Sequence, residues 1–197
     1  MEAPYAHTAD GGRDRSRLRR TTLFVVSLLA AAAASSSPAA AATSPCKHTR
    51  SAGLSTTQAA HALGCLVDLQ RARSGLRPLR TNPALRAAAI AHSQDMAAHD
   101  VFGHTGTDGS TMPTRVRRTG YLRDAHAWWL GETLVWGSGG DATPAALFAS
   151  LMASPPHRAI LLAGRFSQFG IGLVHGGPTS DDADAVTVTI DVGRRSG

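Results

Sequence analysis

The hydrophobic period of this chain changes once, and that change limits the possible folds more than any other feature. From about Ser55 to Arg73, residues Ala59, Leu63, Leu66 and Val67 follow a 3.6-residue rhythm that continues to Gln70 and Arg71, and Gly75 ends it. After a turn over Gly75–Arg80, Asn82-Pro83 supplies an N-cap and a first-turn proline. The second helix then carries Leu85, Ala88, Ala89, His92 and Met96 on one stripe. Residues 103–110 (GHTGTDGS) are dense in turn formers and read as a loop. Three further short helices are predicted. One covers Met112–Thr119 and is closed by Gly120; one starts at Thr143-Pro144 and carries Leu147, Phe148, Leu151 and Met152; one starts at Ser154-Pro155 and ends before Gly164. The period then falls to two: Phe169–Val174 alternates, and Ala185–Val192 places Val186, Val188, Ile190 and Val192 on one face. A turn-rich stretch, Gly176–Asp184, would join the two as an antiparallel hairpin. Helices first and strands last predict an α+β fold, a small antiparallel sheet covered by helices. No internal repeat is visible.

The first 42 residues have a different character. Arg13–Arg20 is strongly basic, Leu23–Ala34 is a 12-residue apolar run, and Ser35–Ala42 is small and broken by Pro38. This is the order of a secretory signal, with cleavage expected near Ala42. The run is shorter than the ~20 residues that span a bilayer, so the mature chain is not expected to cross one. Arg19-Arg20 resembles a twin-arginine signal, but the residues after it match poorly, which favours the general export route. The residues before Cys46, Thr43-Ser44-Pro45, do not form a lipidation box.

An extracellular destination decides how the two cysteines are read. Cys46 and Cys65 are the only pair, and in an oxidising compartment they bond to each other and tie the N-terminal arm to the first helix. Two cysteines with no histidine at ligand spacing make a poor zinc site. Removing the leader's five Arg and three acidic residues from the 20 basic and 14 acidic leaves 15 against 11, a net charge of +4. With 17% charged and 43% apolar residues the chain is globular. No long basic run and no nucleic-acid-binding signature is present, so a nucleic-acid partner is not expected.

Several ordered segments resemble the CAP superfamily, which includes cysteine-rich secretory and plant pathogenesis-related proteins. They are Leu66–Leu79 (LVDLQRARSGLRPL), Leu85–Met96 (LRAAAIAHSQDM), Phe102–Thr111 (FGHTGTDGST), Gly120-Tyr121, Gly131-Glu132, Ser154–Leu162 (SPPHRAILL), Phe169–Leu173 (FGIGL) and Ile190–Gly193 (IDVG). Beside the signal peptide at 1–42 and the disulfide-bearing arm at 43–58 read above, the resemblance implies a CAP (SCP-like) domain at 59–195, folded as an α-β-α sandwich. It also implies a cleft lined by two His and two acidic residues. Here His104 matches the first histidine, Glu132 the first glutamate and His157 the second histidine. The fourth, acidic position is unmatched in Ala145–Phe148. Thr133 and Ile160 stand where the family often has Asn.

Glu132 is the only glutamate after the leader, and Gly131 beside it would permit close backbone approach. His157 follows Ser154 in the first turn of a helix, where the positive end disfavours an imidazolium. His104 and His157 with water would make an open zinc site, with Glu132 as an acid/base candidate; the alternative is a hydrogen-bonded His–Glu–His cluster that ties loops together. His92 reads as a satisfied core residue, and His48, His61, His99, His126 and His175 as exposed. Trp128, Trp129 and Trp136 either pack near the sheet or line a ligand groove. Arg158 either meets an anionic ligand or caps a helix. There is no Gly-x-Ser-x-Gly elbow and no His-Glu-x-x-His motif. The favoured function is therefore a secreted, extracellular, monomeric binding module for a lipid, cell-wall or protein ligand. A metal- or His/Glu-assisted hydrolase and a purely structural domain are the alternatives.

Overall fold

The computed structural model describes residues 46–179 and 184–197. Residues 1–42, read above as a signal, and the start of the arm lie outside the described residues. Ten elements follow: α1 (Thr56–Arg73), β1 (Arg80–Thr81), α2 (Pro83–Ala98), α3 (Met112–Arg118), β2 (Ala127–Gly137), a 3-10 turn (Gly139–Ala142), α4 (Pro144–Ala153), α5 (Pro155–Leu161), β3 (Gln168–His175) and β4 (Val186–Ser196). None of the described helices is long and apolar enough to cross a membrane.

The helix starts follow from local chemistry. The Ser55 hydroxyl accepts from the Gln58 N–H, and the Gln58 side chain accepts from the Ser55 N–H, a reciprocal capping box. Asn82 Oδ1 accepts from the N–H groups of Ala84 and Leu85 at 3.0 and 3.1 Å. The Asn82 backbone N–H donates to the Phe169 carbonyl at 2.8 Å, which ties the start of α2 to β3. Arg71, on the stripe of α1, is buried and donates to the carbonyls of Arg77, Leu161 and Ala163 at 3.0, 2.7 and 3.2 Å. A buried guanidinium is tolerated here because main-chain oxygens satisfy it.

The sheet runs in the order β1-β3-β4-β2. Its three long strands are antiparallel, as expected of the C-terminal pair. The two-residue β1, where the sequence reads as a turn, adds a parallel edge to β3. The larger correction is β2, which pairs with β4 along eleven residues from Ala127↔Ser196 to Gly137↔Val186. Its sequence, AWWLGETLVWG, does not alternate because both faces are covered, so the period-two signal is missing.

Three layers result. On one face α1, α4 and α5 pack Leu63, Val67, Leu147, Leu151 and Leu161 against Val188, Ile190 and Val192. On the other, α2 and α3 pack Leu85, Ala88, Met112 and Val116 against Leu130 and Tyr121. The architecture is the expected α-β-α sandwich. Beneath α2 the sheet is polar as well as buried: Thr187, Thr189 and Asp191 are wholly inaccessible to solvent. Ser93 of α2 meets the Thr189 hydroxyl at 2.9 Å and the Gly172 carbonyl at 3.0 Å.

Cys46 and Cys65 are bonded, 19 residues apart, and fasten the first described residue to the middle of α1. Closing a loop of this length in the unfolded chain is worth about 3 kcal/mol. The Cys65→Ser variant should lose about that much in urea denaturation, with a steeper slope because its unfolded chain is no longer cross-linked. A loss below about 1 kcal/mol would mean the bond contributes little.

Candidate functional site

Glu132 stands in the middle of β2, on the face that carries Leu130 toward α3. Its carboxylate is fully engaged. Oε1 accepts from His104 Nδ1 at 2.8 Å and Oε2 from Arg115 Nη2 at 2.6 Å. Arg115, from α3, also donates to the carbonyls of Ser110 (2.8 Å) and His104 (3.1 Å). One guanidinium therefore holds both the carboxylate and the loop that carries His104. Burial opposes ionisation of Glu132, but the His104 hydrogen bond and the Arg115 charge outweigh it and hold the carboxyl below its ordinary value.

Because Nδ1 of His104 donates to a carboxylate, Nε2 is left as the acceptor, and the side chain is 39% exposed. His157 is the third residue of α5. Burial first, and the nearby charge of His104 second, push its pKa down and favour the neutral ring. Gly131 allows α5 to lie close to β2: a Cβ there would be 3.0 Å from Ile160 Cγ2 and 3.1 Å from Phe166 Cζ.

His104 and Glu132 are thus in direct contact, and His157 lies near enough to His104 to feel its charge. His104 and His157 lie on the loop and the helix start where the sequence places them, whereas Glu132 is held by eleven residues of strand pairing. Two residues of the cluster were not singled out from sequence, and a third is only partly as read. Arg115 looks like one more arginine of MPTRVRR. Asp191 lies directly opposite Glu132 in the β2–β4 ladder, fully buried. Its one signal is a charged residue interrupting the Thr face of an alternating strand. His92 is buried as expected and its Nε2 donates to the Gly103 carbonyl at 2.9 Å, but its Nδ1 has no partner, so it is only half satisfied.

Among the described residues, no three His, Cys, Asp or Glu side chains are grouped to hold a metal ion. His104 and His157 would supply two imidazoles, one short of the three protein ligands of catalytic zinc sites, and Glu132 is committed elsewhere. The donor set does not fit a resident zinc ion. The five other described histidines, His48, His61, His99, His126 and His175, are exposed. Trp128 packs against the α2/α3 core and Trp129 against the opposite one. Arg158 donates to the Met152 carbonyl at 2.8 Å, closing the end of α4. A separate groove of about 450 Å³ lies between α1 and the start of α2, floored by Phe169 and Ile171 and rimmed by His61, Asp68 and Arg86.

The family model for CAP, the cysteine-rich secretory protein family, matches residues 66–191. No curated protein matches in sequence. Among solved structures the chain is similar to an outer surface protein of Borrelia burgdorferi, with a TM-score of 0.60 at 16% identity over 73% of this chain and 97% of the other. It is also similar to an extracellular protein of Bacillus anthracis that contains an SCP domain, with a TM-score of 0.54 at 21% identity over 73% of this chain and 45% of the other. At these identities the likeness is one of fold.

Proposed function

Because the chain belongs to the CAP family of cysteine-rich secretory proteins, we propose that it is an extracellular binding module whose leader is removed on export, rather than a hydrolase. The engagement of Glu132 is the observation that carries this reading. A general base or nucleophile must reach substrate, and Glu132 is buried, with both carboxylate oxygens bound by groups that fix the fold. What faces solvent is an oriented imidazole, His104, beside a second one, His157. These are recognition groups for a ligand with hydrogen-bonding or anionic character. The groove over Phe169 and Ile171, on the opposite face of the sheet, is a separate place for an apolar ligand, and its volume falls in the ~300–1,000 Å³ range of ligand sites. Lipid, cell-wall polymer and protein remain the ligand classes, and the mature net charge of +4 favours anionic surfaces among them.

The test uses protein recovered from culture medium, whose mass should correspond to a chain starting near Thr43. It is assayed for co-sedimentation with lipid vesicles and with purified cell walls, and for turnover of ester and glycoside substrates. Binding to one surface without turnover is expected. His104→Ala should weaken it about tenfold, the worth of one lost hydrogen bond to a charged group. Hydrolysis abolished by Glu132→Gln would overturn the proposal.

A further inference from the structure

We propose that Asp191 is the second carboxyl of this site, a neutral buried acid that donates its proton to the Glu132 carboxylate, so that the two side chains form one acid–carboxylate pair. The inference rests on the reading of Glu132 as an ionised and fully engaged carboxylate, and it requires no ligand.

Geometry carries it. Asp191 is inaccessible to solvent, and neither of its carboxyl oxygens has a hydrogen-bond donor. As an ion it would be a buried charge with no partner, the arrangement proteins avoid most consistently. Each element packed around it can be checked for a cation or donor. From β2 comes Glu132, its direct cross-strand neighbour. From β3 the opposing residue is Gly170, which has no side chain, and α2 packs its main chain at Leu85 and Arg86 straight onto that glycine. From α3 comes Arg115, whose Nη groups bind Glu132 and two carbonyls and whose buried Nε has no hydrogen-bond partner, Asp191 included. From α2 comes His92, which burial, opposed by Glu132 and reinforced by Arg115, keeps neutral. From the loop after α2, His104 is bound to Glu132 on its other side. One permanent cation thus serves two carboxyls. Burial first, and the charge of Glu132 second, raise the pKa of Asp191 well above the ordinary carboxyl range, while Arg115 opposes them. With the proton on Asp191 the arrangement closes: a hydrogen bond to Glu132 replaces a repulsion.

Asp191 is then a positioning residue. Its proton occupies a further lone pair of Glu132 and leaves the carboxylate to hold His104 as the Nδ1–H tautomer. It also places a second acid beneath the His104–Glu132 pair, where Ala145–Phe148 provides none.

Two readouts test this on the whole secreted protein without any ligand. Infrared difference spectra of wild type at neutral pH should contain a neutral carboxylic acid band that shifts with ¹³C-labelled aspartate. Asp191→Asn, whose amide can make the same donation, should lose the band and leave the His104 titration midpoint, followed by NMR, unmoved. Absence of the band in wild type would overturn the proposal, whether or not the variant folds. So would a fall in the His104 midpoint in Asp191→Asn, since it would mean that a negative Asp191 had been stabilising the imidazolium. A failed search for ligands would touch neither result.

Discussion

Gly172→Ala is expected to cost more than about 4 kcal/mol, at the extreme end of what a single added methyl group does. An ideal Cβ on Gly172 would lie 2.2 Å from the carbonyl carbon of Ala89 and 2.2 Å from the amide nitrogen of Ile90. Both are main-chain atoms of α2, so no side chain can swing aside. The helix would have to lift from the sheet, yet it is pinned by the Asn82 N–H on Phe169 and by Ser93 on Gly172 itself. Lifting it would open the core that Leu85 and Ala88 form with Leu130. Ordinary overpacking costs about 1–3 kcal/mol because neighbours relax, and here they cannot. Gly75→Ala is the useful contrast. Gly75 ends α1 at φ +71 with open space around it, so the cost is backbone strain alone, about 1–2 kcal/mol. Urea midpoints of the two variants decide the matter. A Gly172→Ala protein within about 1 kcal/mol of wild type would show that α2 is not seated as described.

Arg115→Leu should destabilise the protein by about 3–5 kcal/mol at neutral pH, because it strands a buried carboxylate. The pH dependence carries a sign. Glu132 ionises more readily in the folded state than its ordinary 4.5, so its contribution is complete above that value and is lost as pH falls through the lower folded value. Without Arg115 that advantage shrinks to what the His104 hydrogen bond supplies against burial. The gap between wild type and variant should therefore be widest near neutrality and narrow in acid, where Glu132 takes up a proton in both proteins. The double variant Arg115→Leu/Glu132→Leu should recover part of the loss, since it removes the stranded charge along with its partner. A gap that stays constant between neutral and acid pH would mean that lost packing, not electrostatics, accounts for the effect.

Most of the framework was legible because its signals are local. Ser55, Asn82-Pro83, Thr143-Pro144 and Ser154-Pro155 each mark a helix start where a helix begins. The alternation of Val186 to Val192 marks the last strand. The strand β2 was not legible, since alternation reports a sheet with one wet face and β2 has none. The site divides in the same way. His104, Glu132 and His157 were found by their place in a family pattern. Arg115 and Asp191 join them only through register and helix seating, which no local stretch of sequence encodes. Asp191 was the harder of the two. Thr187, Thr189 and Asp191 look like the solvent side of a strand, and they are buried only because Gly170 and Gly172 on the neighbouring strand let α2 settle over them.

The order β1-β3-β4-β2 has a consequence in time. The strand that fills the gap between β2 and β3, Val186–Ser196, is the last of the four to be synthesised. β2 has no other partner, and β3 has only the two residues of β1. A chain made as far as His175 therefore possesses both outer strands and no sheet to put them in, and α2 has only the strip of β3 to rest on. Such sequence-distant pairing makes for slow assembly that begins only once the final strand has been made. Until then the sheet that seats α2 and pairs β2 cannot be completed.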